Sequence, residues 1–314
     1  MGAYYYDLNT YFREKFGERV HKLTVDAGFD CPNRDGSIAR GGCIYCNPQG
    51  SGSGLFAQGF SIKDQLERSR APVARRFKVR QFIAYFQSFT NTYAPLAALK
   101  SAYDEALAVP DIVGLSIGTR PDCIDDQILA LLEQYARRYL VWVEYGLQSA
   151  HDRTLATIRR GHDVRCFIDA VERTRNRGIA ICAHVILGLP GESRRDMLET
   201  TRLIADLNLD GIKLHLLYVV RGTLLAAEYR KGNYRCLEQE EYADLVCDVI
   251  ERLPPGMVIQ RITGDPHPRE LVAPAWALQK KQTIEMIHAR FKARQTRQGS
   301  RYQTSDQYLR RPQR

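Results

Sequence analysis

Short apolar segments rich in β-branched residues recur along this chain, each separated from the next by one amphipathic helical stretch. That alternation limits the fold more than any single motif does. Val20–Val25 opens the series. Helix Ser61–Arg76 precedes strand Val79–Phe86, helix Pro95–Ala108 precedes strand Ile112–Ile117, and helix Asp125–Arg138 precedes strand Leu140–Tyr145. Helix Val164–Arg177 then precedes strand Ile179–Leu187, and helix Arg194–Asn208 precedes strand Gly211–Val219. Strands that alternate with helices predict a parallel sheet with the helices outside it. Six such strands predict an α/β fold of the partial TIM-like (β/α)6 kind rather than a closed eight-stranded barrel.

In barrels of this kind the chemistry sits at the C-terminal ends of the strands. The loop after the first strand reads CPNRDGSIARGGCIYC, residues 31–46, and spaces Cys31, Cys43 and Cys46 as C-x11-C-x2-C. A Cys-x-x-Cys pair plus one more thiolate can hold three irons of a 4Fe–4S cluster and leave the fourth iron open. Zinc wants four ligands, and no partner Cys-x-x-Cys is present. A redox pair needs only Cys43 and Cys46. The loop alone leaves all three readings open. The other predicted rim loops are polar as well: Gln87 and Ser88 after the second strand, Arg120 after the third, Glu144 and Gln148 at the fourth, His184 and Gly188 at the fifth, and Lys213 and His215 on the sixth.

Beyond Thr223 the alternation weakens into an expected C-terminal α/β extension, with helix Leu237–Leu253, strand Met257–Ile262 and a basic helix from Trp276 to Arg294. The expected organisation is a barrel over residues 1–225, the extension over 226–294, and a basic, disordered tail over 295–314. Charge supports that division. The net charge is +9, and residues 276–314 carry ten Lys or Arg against Glu285 and Asp306, leaving about +1 for everything before them. A second basic cluster comprises Arg68, Arg70, Arg75, Arg76, Lys78 and Arg80. Such patches suit a polyanion. No apolar run approaches the ~20 residues of a membrane span, and no signal peptide precedes the first helix. Eight cysteines without a secretion signal fit a reducing cytoplasm, the expected location.

These residues carry a resemblance. The cysteine loop, with Tyr45 before its last cysteine, resembles that of radical S-adenosylmethionine (SAM) enzymes, with a first gap longer than the common C-x3-C-x2-C form. More narrowly, KLTVDAGFDCPNRDGSIARGGCIYCN, AYFQSFTNTYAP, SIGTRPDC, VEYGLQSAHD, ILGLPGES, KLHLLYVVRGT and RITGDPHPRELVAPAW resemble the YhcC/YtqA (MnmL-like) family across residues 4–290. That family is similar to the radical SAM part of the elongator tRNA-modifying subunit, but acetyl transfer is not carried over. The resemblance implies a 4Fe–4S cluster on Cys31, Cys43 and Cys46, SAM as cofactor, and a reducing donor such as flavodoxin or ferredoxin. It implies SAM contacts by Tyr45, Gln87, Ser88, Glu144, Gln148, Ile186 and Gly188, and catalytic or substrate roles for Arg120, Lys213 and His215. The implied substrate is tRNA, met through the basic C-terminal segment, with the carboxymethylaminomethyl group on carbon 5 of wobble uridine converted toward aminomethyl. A radical SAM enzyme acting on a small molecule, and a non-catalytic zinc or iron–sulfur RNA-binding protein, are the alternatives.

Overall fold

A computed structural model describes residues 4–47, 50, 52 and 54–303. In chain order its elements are α1 (Leu8–Phe16), β1 (Val20–Val25), α2 (Pro32–Asp35), α3 (Ile62–Phe77), β2 (Gln81–Phe86), α4 (Leu96–Leu107), β3 (Ile112–Thr119) and α5 (Asp126–Ala136). Then follow β4 (Leu140–Gln148), α6 (Asp152–Thr157), α7 (Val164–Thr174), β5 (Ala180–Leu187), α8 (Arg194–Asp206), β6 (Gly211–Leu216), β7 (Val219–Val220) and α9 (Leu224–Arg230). The last elements are α10 (Gln239–Glu251), β8 (Val258–Arg261), β9 (Leu271–Ala273) and α11 (Lys280–Arg294).

One sheet has the order β1-β2-β3-β4-β5-β6-β8. All six expected strands are in it, and a seventh, β8, joins from the expected extension by pairing parallel with β6. The ladders β1–β2, β2–β3 and β3–β4 are parallel too. Every residue of β4 is buried, as expected of a strand covered on both faces. Gly114 is needed where β3 meets β4, because a Cβ there would lie 2.2 Å from the Leu140 carbonyl oxygen. The helices begin where the sequence supplies caps. Ser61 with Asp64 and Ser193 with Asp196 form capping boxes, and Asp125 and Asp163 cap α5 and α7.

The chain divides into two compact units. One holds residues 11–147 and 159–182; the other holds 1–10, 148–158 and 183–314. In the second unit the basic helix behaves differently from expectation. Its apolar side is buried through Ile287 and Phe291, but two of its arginines, Arg290 and Arg294, are spent on α10. Arg294 reaches Asp244 at 2.8 Å, Asp248 at 3.0 Å and Glu251 at 3.2 Å, and Arg290 lies 3.0 Å from Asp244. Lys280 pairs with Asp265 at 2.9 Å.

Residues 295–303, expected to belong to a disordered tail, are docked on the same helix. Thr296 donates to Glu251 at 2.6 Å, and Arg301 lies 3.1 Å from the other Glu251 oxygen. Gln298 donates to the carbonyls of Pro254 and Met257 at 2.6 and 2.8 Å and accepts from the Tyr6 N–H at 2.8 Å. Residues 304–314 of the expected tail lie outside the described residues. Among the described residues no helix is long and apolar enough to cross a membrane.

Candidate active site

The eleven residues between Cys31 and Cys43 fold back on themselves, so the long gap in sequence is short in space. Cys31 caps the single turn α2, with Pro32 at its first position. Gly36 ends that turn at φ 101°. The Ile38 N–H donates to the Pro32 carbonyl at 2.8 Å, and the Gly42 N–H to the Asn33 carbonyl at 2.8 Å, which returns the chain beside its start. A turn closed by the Cys46 N–H on the Cys43 carbonyl (3.0 Å) then sets the last cysteine. Cys31 and Cys43 are buried, Cys46 is half-buried, and all three are free thiols.

Polar hydrogens point at these sulfurs. Asn33 Nδ2 lies 3.5 Å from Cys43 Sγ, and the Arg34 guanidinium lies 3.8 Å from Cys46 Sγ. Arg160 reaches Cys43 Sγ at 3.7 Å, while its Nε and Nη2 donate to the Gly146 carbonyl at 3.2 and 2.9 Å. The loop after β2 is fastened to the cysteine loop: Thr90 N–H donates to the Asp30 carbonyl at 3.3 Å, and Arg34 lies over the Phe89 ring at 5.4 Å. On that loop Ser88 is buried, and its hydroxyl has no hydrogen-bond partner among the described residues. Asn33 Oδ1 is a second buried orphan. Burial and the nearby Cys43 push the Tyr45 hydroxyl well above its ordinary range.

The residues expected on the rim are distributed as follows. Glu144 is fully buried on β4 and accepts from Lys22 at 2.5 Å and from the Ser116 hydroxyl. Lys22 comes from β1, also donates to Ser116 at 2.8 Å, and lies over the Tyr85 ring at 4.9 Å. Gln148 ends β4 with φ at 74°, a backbone conformation that L residues rarely adopt and that clusters at functional sites.

Arg120 was expected to take a catalytic or substrate role, and its side chain is buried. Its fork is already closed on Asp122, Nε to Oδ1 at 2.9 Å and Nη2 to Oδ2 at 2.6 Å, and its Nη1 donates to the Arg160 carbonyl at 2.7 Å. A bidentate carboxylate clamp is therefore in use inside the protein, and Arg120 holds the Arg160 segment in place. Cys123 lines a cavity of about 470 Å³ together with Thr92–Pro95, Asp122, Ile124, Asp125 and Ile128, and burial pushes its thiol up to about 12.

In the other unit, Ile186 is buried on β5. Gly188 has φ +90°, donates its N–H to Met197 Sδ at 3.2 Å and accepts from the Tyr234 hydroxyl at 2.8 Å, so both its backbone polar groups are engaged. Lys213 is buried, and His215, two residues along β6, is half-buried.

Residues 35–204 match the radical SAM superfamily, and residues 209–293 match the radical SAM C-terminal domain. Protein YtqA of Bacillus subtilis is 41% identical over 95% of this chain and 93% of its own length. The chain belongs to the radical SAM superfamily. A tRNA uridine(34) acetyltransferase of Dehalococcoides mccartyi is 31% identical over 157 residues, 49% of this chain and 33% of the relative. Among solved structures, the archaeal Methanocaldococcus infernus Elp3 superposes with a TM-score of 0.63 at 16% identity, covering 89% of this chain and 64% of that one, which is a likeness of fold.

Radical SAM enzymes use a 4Fe–4S cluster and SAM. The cysteine loop fits the cluster on two counts. It offers three thiols from one loop of the first βα connection, which is the cluster's donor set. It aims an amide and two guanidinium groups at those sulfurs, as anionic thiolates require. Burial and Cys43 push the Cys46 thiol up to about 11 against the pull of Arg34. Iron binds only the thiolate, so loading the loop releases protons.

Four residues that shape this site were not singled out from the sequence. Asn33 and Arg34 lie inside the cysteine gap, where turn-forming polar residues attract no notice. Arg160 sits in Arg159-Arg160-Gly161-His162; the signal was Gly161, whose φ of +79° and close approach to Asn33 Oδ1 (2.9 Å from a built Cβ) mark a tight turn. Lys22 was visible as a lone charge on an apolar strand, which needs a partner if it faces inward.

Proposed function

We propose that this protein modifies tRNA, remodelling the aminomethyl side chain on carbon 5 of wobble uridine so that a carboxymethylaminomethyl group is taken toward aminomethyl. The observation that carries the reading is the three-thiol loop of Cys31, Cys43 and Cys46 within a chain of which 49% matches a tRNA uridine(34) acetyltransferase. When bound, the cluster supplies the electron that cleaves SAM to methionine and a 5′-deoxyadenosyl radical able to abstract a substrate hydrogen.

The protein's own groups do the rest. Asn33, Arg34 and Arg160 hold the sulfurs and offset their negative charge. The Ser88 hydroxyl, buried and without a described partner, is placed to accept a ligand hydrogen or donate to a ligand oxygen, in keeping with a SAM contact beside Gln87. Glu144 is oriented by Lys22 and Ser116, so it meets a ribose or amino group as a fixed acceptor. Arg120 acts as a positioning residue, through Arg160.

Contact with tRNA phosphates falls to the exposed end of α3, where Arg75, Arg76 and Lys78 lie, because Arg290 and Arg294 of α11 are paired with α10. A reducing donor such as flavodoxin or ferredoxin completes the system. Mass spectrometry of tRNA nucleosides from cells with and without this gene tests the reading. Accumulation of carboxymethylaminomethyl uridine at the expense of aminomethyl-derived forms is expected on deletion; an unchanged wobble-uridine profile overturns it.

A further inference from the structure

Two phenylalanine rings near the cysteine loop lie where a glycine leaves room for them. A Cβ on Gly50 would lie 2.4 Å from the Phe89 ring, and a Cβ on Gly28 would lie 2.2 Å from the Phe56 ring. Phe89 is half-buried, and the Arg34 guanidinium lies over it. Phe56 is 50% exposed, the most exposed large apolar side chain among the described residues. Its ring rests on the Gly28 backbone and turns the remainder to solvent. A tight turn over Phe56–Gln58, closed by the Gly59 N–H on the Phe56 carbonyl at 2.8 Å, fixes the backbone that carries the ring. Gly28 stands three residues before Cys31, so the two Cα atoms are at most about 11 Å apart.

From this turn the chain enters α3 through its cap at Ser61. The Arg68 guanidinium lies 4.4 Å from the centre of the Phe60 ring, a contact that orders it while the residue stays exposed. Arg75 follows seven residues later, on the same face of the helix, and is exposed as well. The acidic groups of the first two turns are occupied: Asp64 closes the capping box with Ser61, and Glu67 lies 3.9 Å from Lys63. The 16 residues of α3 span about 24 Å. The helix therefore runs from the Phe56 turn to the cations Arg75, Arg76 and Lys78 at its far end.

We propose that Phe56 is a stacking platform for a nucleobase of single-stranded RNA, one that neighbours the modified uridine, and that Arg68 takes a phosphate of the same strand. The assignment rests on the proposed function above, which makes RNA the substrate. Unpaired bases in loops are splayed out and stack on aromatic side chains. Every base has a π-face, so such a platform works without reading sequence. A ring already seated on main chain loses little freedom when a base covers it. Charge favours a nucleic acid over an apolar protein partner, because the side chains next to the ring along the chain are Lys63 and Arg68 rather than further apolar groups. The strand's phosphates then follow α3, meeting Arg68 before Arg75.

The test uses an anticodon stem–loop RNA and a series of the same RNA with one abasic nucleotide at each loop position in turn. Affinities are measured by fluorescence anisotropy on the cluster-reconstituted full chain with SAM and no reductant, so nothing turns over. Phe56→Ala is expected to weaken the intact loop by about 5- to 100-fold, the range of one lost base–aromatic stack. One abasic loop should bind the wild-type chain as weakly as Phe56→Ala binds the intact one, and should bind both chains alike. Phe56→Trp should keep the affinity, and its added fluorescence should be quenched by the intact loop. Arg68→Gln should lower the slope of log affinity against log salt by about 0.7, the share of one single-strand phosphate; an unchanged slope overturns the phosphate contact. An unweakened Phe56→Ala overturns the platform, and so does equal weakening across every abasic loop. Loss confined to cluster reduction by reduced flavodoxin would assign the ring to a protein donor and overturn it as well. The two readings fail separately: an unchanged nucleoside profile in deleted cells removes the substrate chemistry, whereas an RNA affinity indifferent to Phe56 removes the platform alone.

Discussion

Arg160 offers the sharpest test of how this chain holds its cluster. Its guanidinium is buried, forks across the Gly146 carbonyl at 3.2 and 2.9 Å, and presents Nη1 to Cys43 Sγ at 3.7 Å. Replacing it with methionine keeps most of the volume and removes the charge and every one of these hydrogen bonds. A hydrogen bond with a charged partner is worth about 1.5–3 kcal/mol, and the long N···S distance argues for the lower figure. The reduced cluster carries one more negative charge than the oxidised one, so the cation favours reduction. At about 1.4 kcal/mol and about 59 mV per tenfold for one electron, 1.5 kcal/mol sets an upper bound of about 60 mV on the negative shift of the potential in Arg160→Met, since the cation also contacts the oxidised cluster's sulfurs.

The Gly146 carbonyl also loses both Arg160 donors and keeps only His162 Nε2 at 3.2 Å, a loss of about 1 kcal/mol of stability. The assay is an anaerobic redox titration followed by electron paramagnetic resonance, with iron and sulfide analysis on the same samples. Arg160→Lys should fall between, since it restores the charge without the fork. A variant with full iron content, wild-type melting and an unchanged potential would refute the assignment of Arg160 to the cluster sulfurs.

Cys43→Ala should abolish both iron retention and SAM-dependent methionine formation, and intact SAM cleavage would remove the three-cysteine assignment. The depressed pKa of His215, about 3 against an ordinary 6.5, means the unfolded chain binds more protons between those values; stability should therefore rise with pH across that window. His215→Gln should flatten that part of the melting-temperature profile, and an unchanged slope would count against a buried neutral His215. Glu251→Ala strips the carboxylate that holds Arg294, Thr296 and Arg301 and should cost about 3–5 kcal/mol in urea unfolding; a loss below about 1 kcal/mol would mean the docked segment is marginal. Neutralising Arg75, Arg76 and Lys78 should lower the slope of log affinity for tRNA against log salt, by about 0.9 for each duplex phosphate no longer neutralised. Arg294→Gln should leave the slope alone, and the reverse pattern would return RNA binding to α11.

The periodicity of the chain told which residues face inward but not which of them meet. The strand–helix alternation yielded the six expected strands because burial on both faces leaves an uninterrupted apolar signature, as in β4. The fold of the cysteine gap was not legible, since a C-x11-C spacing is equally compatible with an open loop. What closes it is a set of backbone hydrogen bonds through Pro32 and Asn33 that carry no side-chain signal. The +8 of the last 39 residues was legible as a sum, yet its meaning depended on pairings across more than forty residues, such as Arg294 with Asp244, Asp248 and Glu251. A count of charges cannot tell a polyanion-binding surface from a helix whose cations are paired inside the protein, because both have the same composition. The same reasoning separates Lys213 from Arg261 in sequence and joins them in the sheet. The irregularity at Ile212 is a one-residue matter of register, and it alone decides whether Arg261 faces Lys213 or turns away from it.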